Sequence, residues 1–207
     1  EGGFYHSFDP YFAGTADADY FVTTFNGESL YALLQLYEMT ENVFWLDQAR
    51  EINAFMITQP VSEDYAHAYA FSMLARLDEL NQEDIAYATE IANVMIAGQV
   101  RSLNPINSSI STATKIEALA SIAQAFYLSD VEHAWLEREI NTFITFVSAR
   151  QIPDSNCGFE ISYNIYEKYE GGIFSTCEDP SIRIDGVAHW INGITTFLEY
   201  KSMIGTK

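Results

Sequence analysis

The sequence predicts a mainly α protein, an α/α-hairpin repeat with a small inserted β-hairpin, and three observations lead there. Apolar residues recur at helical spacing through most of the 207 positions, which is the pattern of packed helices. Runs that are apolar all round alternate with runs that keep a polar stripe, so inner helices buried on every side should alternate with half-exposed outer ones. Capping and turn residues punctuate the runs, marking where each helix starts and stops. Hairpins of this kind cannot bury their apolar faces alone, so they must stack or close into a ring. One domain spanning 1–207 is expected, with loop or β insertions at 1–26 and 153–180.

Taken in order, residues 1–26 carry glycines, a proline and many aromatics without helical periodicity. They read as an ordered loop with a short strand at Phe4 to Phe8. Gly27 to Gln59 is the clearest hairpin. Its first half (Leu30, Tyr31, Leu33, Leu34, Leu36, Tyr37, Met39) should be buried on every side, whereas its second half sets Asp47, Gln48, Arg50 and Glu51 opposite Leu46, Ala49, Ile52 and Phe55. Pro60 closes the hairpin. Ser62 is expected to cap a third helix, with Glu63 and Asp64 in its first turn where negative charge is favoured.

Tyr65 to Leu80 is an inner helix, and Asn81 to Asp84 has the form of a capping box leading into an outer helix over Ile85 to Gln99. Leu103 to Thr112 reads as a loop, Lys115 to Leu128 as an inner helix, and Ser129 with Glu132 as a capping box for an outer helix ending near Arg150. In Pro153 to Pro180 the period changes: Phe159, Ile161, Tyr163 and Ile165 alternate with polar residues, and Gly171-Gly172 precedes Ile173-Phe174. This predicts the β-hairpin. Cys157 and Cys177 flank it, leaving both a disulfide and two free thiols open. Asp185 to Tyr200 is a seventh helix of the inner kind. The loops Gly2 to Pro10 and Gly171 to Pro180 echo one another, each preceding an inner helix.

The formal charge of −19 is scattered along the chain. Such a field repels phosphate backbones and anionic lipid, so neither nucleic-acid binding nor membrane docking is expected. No apolar run approaches the ~20 residues of a membrane-spanning helix, and the chain is expected to be soluble. Its start, Glu-Gly-Gly-Phe, reads as a processed end or an artificial boundary. There is no phosphate-cradling glycine loop, no nucleophile elbow and no metal-binding His pair at helical spacing, so neither cofactor nor metal is expected.

The inner/outer alternation, the Leu30 to Phe55 hairpin and the Gly-Gly-Phe loops resemble the α/α-toroid (six-hairpin) group of carbohydrate-active proteins, among them glycoside hydrolases and N-acylglucosamine 2-epimerase-like proteins. A full ring in that group has about twelve helices against seven here. The resemblance therefore implies an incomplete ring, part of a longer chain, or a ring completed by a partner such as a second copy. It also implies a cleft formed by the loops leading into inner helices, where acidic residues and histidines act on a glycan or small sugar. The matching positions are Asn26, Glu28, Asp64, His67, Lys115, Glu117, Arg183, Asp185 and His189.

Asp185 and His189 lie four apart on one helix face, and a carboxylate that orients an imidazole is a workable acid/base pair. Asp185 is equally a helix-start residue, and Asp64 more plainly so. Hydrolysis would need two carboxyls about 5 to 9.5 Å apart, which Glu28, Asp64, Glu117, Glu178, Asp179 and Asp185 could supply. Arg183 is placed as a binder of substrate carboxylate or an orienter of Asp185, and His67 as a substrate contact. Trp190 and the loop tyrosines, Tyr5, Tyr20, Tyr163, Tyr166 and Tyr169 among them, suit stacking on a sugar face, although aromatic residues also serve simply to roof a helical barrel. Two alternatives stand beside the enzyme: a helical-repeat scaffold that binds a protein or peptide, and a toroid that binds glycan without turning it over.

Overall fold

The fold is known from a computed structural model, which describes residues 8–9, 15–16, 24–98, 106–160 and 167–205. Among the described residues there are seven helices of twelve residues or more: α1 (Phe25–Thr40), α2 (Val43–Met56), α3 (Tyr65–Arg76), α4 (Gln82–Ala97), α5 (Ser109–Leu128), α6 (Ala134–Ser148) and α7 (Ile184–Gly205). The mainly α class is as the periodicity predicts. Two two-residue strands, β1 (Phe8–Asp9) and β2 (Thr15–Ala16), pair antiparallel, with Phe8 opposite Ala16 and Asp9 opposite Thr15. The chain divides into two units, Glu1–Val94 and Met95–Lys207. No helix among the described residues is long and apolar enough to cross a membrane.

In the first unit, α1 packs on α2 and on α3. The α1–α3 contact is parallel, since Gly27 lies against Asp64 and His67 while Tyr31 meets Tyr69 edge-on at 5.8 Å. α3 is buried nearly all round (Ala66, His67, Ala68, Ala70, Phe71, Met73, Leu74), as an inner helix should be. The expectation for α1 is corrected: Leu30 and Leu34 are buried, but Leu36 is 38% and Met39 81% exposed, so one of its faces lacks cover among the described residues. α3 also begins later than its sequence suggests. Asp64, not Ser62, is the N-cap, because its carboxylate accepts the His67 N–H at 3.1 Å. The capping box at α4 forms as read: Asn81 Oδ1 accepts from the Glu83 and Asp84 N–H groups, and Asp84 Oδ2 accepts from the Asn81 N–H.

The core of the second unit is α5, apolar or small on every side and almost wholly buried. It begins six residues before the expected Lys115. Ser108 caps it by accepting the Ser111 N–H, and Thr112 and Thr114 turn their hydroxyls back onto the Ser108 and Ile110 carbonyls. A Ser/Thr-rich stretch that reads as loop is thereby absorbed into the helix. At its other end Ser129 is the C-cap and Asp130 takes φ 55°, with the Val131 N–H donating to the Phe126 carbonyl. Ser129 therefore closes α5 rather than capping α6, and the Ala134 N–H that opens α6 donates to Glu132. α7 runs parallel to α5 along its length: Gly186 meets Ile110, Gly193 meets Ile116, and Gln124 and Tyr127 donate to the Thr196 and Met203 carbonyls.

Between α6 and α7, the expected β-hairpin is reduced among the described residues of 153–180 to Ile173, which makes a single antiparallel bridge with Gln151; residues 161–166 lie outside them. The open choice at the cysteines resolves to a Cys157–Cys177 disulfide spanning 20 residues. Closing a loop of that size stabilises the folded chain by about 3 kcal/mol in the chain-entropy picture. The loop leading to α7 is also tied to the start of α5, where the otherwise unsatisfied Ser109 N–H donates to the Ser175 carbonyl at 2.9 Å.

Candidate functional site

Two groups of the expected residues come together, one in each unit. In the second unit, the close approach of α5 and α7 at Gly193 brings Glu117 and His189 side by side, and His189 Nδ1 hydrogen-bonds Glu117 Oε2 at 2.8 Å. The side chains are 29% and 13% exposed respectively, enough for solvent or a small substrate to reach the imidazole. The Glu117 carboxylate raises the His189 pKa above the ordinary imidazole value, outweighing burial, and Asp185 adds a weaker push the same way. The partner of His189 is thus Glu117 across the helix pair, not Asp185 one turn away.

Asp185 is engaged elsewhere. Arg183 Nε and Nη2 reach its two carboxylate oxygens at 3.1 and 2.5 Å, and Oδ1 also accepts the Gly186 N–H. The guanidinium holds the Asp185 carboxyl below the usual carboxylate range. Arg183 and Asp185 thus form an ion pair at the start of α7. Lys115, on the same helix as Glu117, is buried and donates to the Met95 carbonyl at 3.2 Å. Trp190 is 7% exposed and lines an open hollow of about 690 Å³ with Tyr169, Glu170, Gly172 and Ile182.

In the first unit, Glu28 Oε1 accepts from the Thr24 hydroxyl and from the Tyr65 hydroxyl, each at 3.1 Å. Asp64 is buried between the starts of α1 and α3, where the His67, Ala66 and Gly27 N–H groups donate to it. Those bonds favour its ionised form, but burial dominates and Glu28 adds repulsion, so its pKa is pushed from 3.8 to about 7. Asn26 is buried as well.

His67 is wholly buried and stacks on Phe71 at 4.3 Å. Asn53 Nδ2 donates to Asp84 Oδ1 at 2.7 Å, which turns the Asn53 carbonyl oxygen to His67 Nε2 at 2.9 Å. Nε2 therefore carries the proton, and burial lowers the His67 pKa to about 3, keeping the ring neutral. Sequence reading missed Asn53 and Asp84, each of which looks like an ordinary helix-surface or capping residue; only their burial reveals the chain. Tyr5, Tyr20, Tyr163 and Tyr166 lie outside the described residues. Among the described residues no cluster of His, Cys, Asp and Glu stands close enough to hold a metal ion.

Comparison with protein-family models, with curated proteins and with solved structures finds no match to this chain.

Proposed function

We propose that the chain is a carbohydrate-active domain of the α/α-toroid kind, glycoside hydrolase-like or sugar epimerase-like, in which Glu117 and His189 carry out acid/base chemistry on a glycan or small sugar. The observation that carries this reading is the 2.8 Å Glu117–His189 hydrogen bond between two parallel helices, part-exposed on the imidazole side. With Nδ1 engaged by the carboxylate, the ring tautomer is set and proton exchange with a substrate falls to Nε2. Glu117 stabilises the imidazolium that forms when the proton arrives. Arg183 and Asp185, in the turn before His189, add a fixed pair of charges beside it.

The test is a screen on neutral, amino and uronic oligosaccharides, read by released reducing ends and by NMR of the sugar configuration. Turnover should fall roughly a hundredfold or more in His189→Ala and in Glu117→Gln. If His189 acts as the base, the acidic limb of kcat/KM lies above the ordinary imidazole pKa, as its raised value requires. Glu117→Gln then moves that limb down. Folded variants that keep full turnover and an unmoved limb would remove the dyad from the mechanism. A chain that neither binds nor turns over any sugar would remove the reading itself.

One observation favours the scaffold reading. On α7, Ile184, Ile191 and Leu198 are 89%, 58% and 61% exposed at seven-residue spacing, an apolar stripe along the helix.

A further inference from the structure

Beside the 690 Å³ hollow lies a second one of about 430 Å³, and the two share Tyr169 and Ile182. Both fall within the about 300–1,000 Å³ typical of small-molecule sites. The smaller is lined by Phe159, Phe174, Tyr169 and Glu160, with the two phenyl rings edge-on at 4.9 Å. The larger adds Trp190 and Glu170. The loop that supplies most of this lining is braced by the Cys157–Cys177 disulfide and by the Gln151 side-chain amide donating to the Gly171 carbonyl at 2.8 Å.

The composition of the lining is selective. Four aromatic residues and two glutamates line the hollows, and no Lys, Arg or His lines either among the described residues. The ammonium of Lys168 lies 5.3 Å from the Tyr169 ring centroid, so that ring already accepts a cation on its face. The net charge of −19 extends the same preference over long range. A uronate would meet the Glu160 and Glu170 carboxylates here, which outnumber the Lys168 ammonium beside Tyr169.

We infer that these joined hollows bind an amino sugar whose free ammonium takes the place of the exposed Lys168 ammonium at the Tyr169 ring, which the two hollows share, with Glu160 lining one hollow and Glu170 the other, while its apolar face stacks on the neighbouring aromatic residues. The inference rests on the carbohydrate reading and narrows it to cationic hexosamines. The carboxylates set the charge preference and the rings supply the sugar-stacking surface common to cationic and neutral sugars.

The experiment is calorimetric titration of the whole chain with chitotriose and with its de-N-acetylated counterpart, at a mildly acidic pH where the amines are protonated. At low salt the cationic trisaccharide should bind about tenfold more tightly, and molar salt should erase most of that preference. The Glu160→Gln, Glu170→Gln double variant, altered only at exposed positions, should lose the preference, and Tyr169→Ala should weaken both ligands. Equal or stronger binding of the neutral sugar overturns the charge assignment and leaves the carbohydrate reading intact. An unchanged preference in the double variant overturns the location. Binding of neither sugar overturns the inference, and if the wider oligosaccharide screen is also silent, the carbohydrate reading falls with it.

Discussion

Asp64→Asn is expected to make the chain more stable than the wild type above neutral pH and to lose that advantage in mild acid. Asp64 titrates at about 7 in the folded chain against an ordinary 3.8, chiefly because it is buried. Between those values the folded chain binds a proton that the unfolded chain has released. Stability due to this group is therefore complete below about pH 4 and declines as pH rises towards 7, by about 1.4 kcal/mol per pH unit. Across roughly three units the loss is of order 4 kcal/mol. Asparagine keeps an acceptor for the α3 N-cap and does not ionise, so the gain over wild type should grow with pH. Urea unfolding of both proteins at about pH 5 and pH 8 measures this. A difference that does not move with pH would show that the carboxyl titrates normally.

Gly27→Ala should destabilise the chain by about 3 kcal/mol, the upper range of core overpacking. A Cβ at this position would lie 2.4 and 2.6 Å from the two Asp64 carboxylate oxygens and 2.6 Å from the His67 backbone nitrogen. Alanine's better helix propensity returns only about 0.5–1 kcal/mol, so the clash wins. Gly205→Ala, where nothing lies within 4 Å, is the matched control and should be nearly neutral. The double variant Gly27→Ala, Asp64→Ala should remain well below Asp64→Ala in stability, because the His67 backbone cannot move aside. Full recovery in that double variant would mean that the carboxylate alone sets the α1–α3 approach.

Helix identity was legible because burial leaves a periodic trace: α3 and α5 show it and are buried nearly all round, whereas α7, expected to be of the inner kind, buries only the face carrying Gly186, Trp190, Gly193, Phe197 and Tyr200 and leaves Ile184, Ile191 and Leu198 exposed. The asymmetric burial of α1 was not legible, since Met39 and Leu36 are apolar whether or not anything covers them. The start of α5 was hidden because serine and threonine favour loops and also tolerate helices when they can bond back to the previous turn. At the site, Glu117 and His189 were each visible as candidates 72 residues apart, but their pairing was not. Asp185 stood nearer in sequence, and only the glycine-mediated approach of α5 and α7 shows which carboxylate meets the imidazole.

The parallel pairing of α1 with α3, and of α5 with α7, has an electrostatic consequence. Each helix carries about half a positive elementary charge at its N-terminal end, and parallel partners present those ends side by side. In the first unit the pair of ends meets Asp64, through the Gly27 and His67 N–H groups. In the second, the ends of α5 and α7 are drawn together at Ile110 and Gly186. A strongly acidic chain thus keeps, at one end of each unit, a local field of opposite sign to its own. At Asp64 that field reduces, without cancelling, the cost that burial sets on a negative charge, so its pKa still lies above the ordinary value.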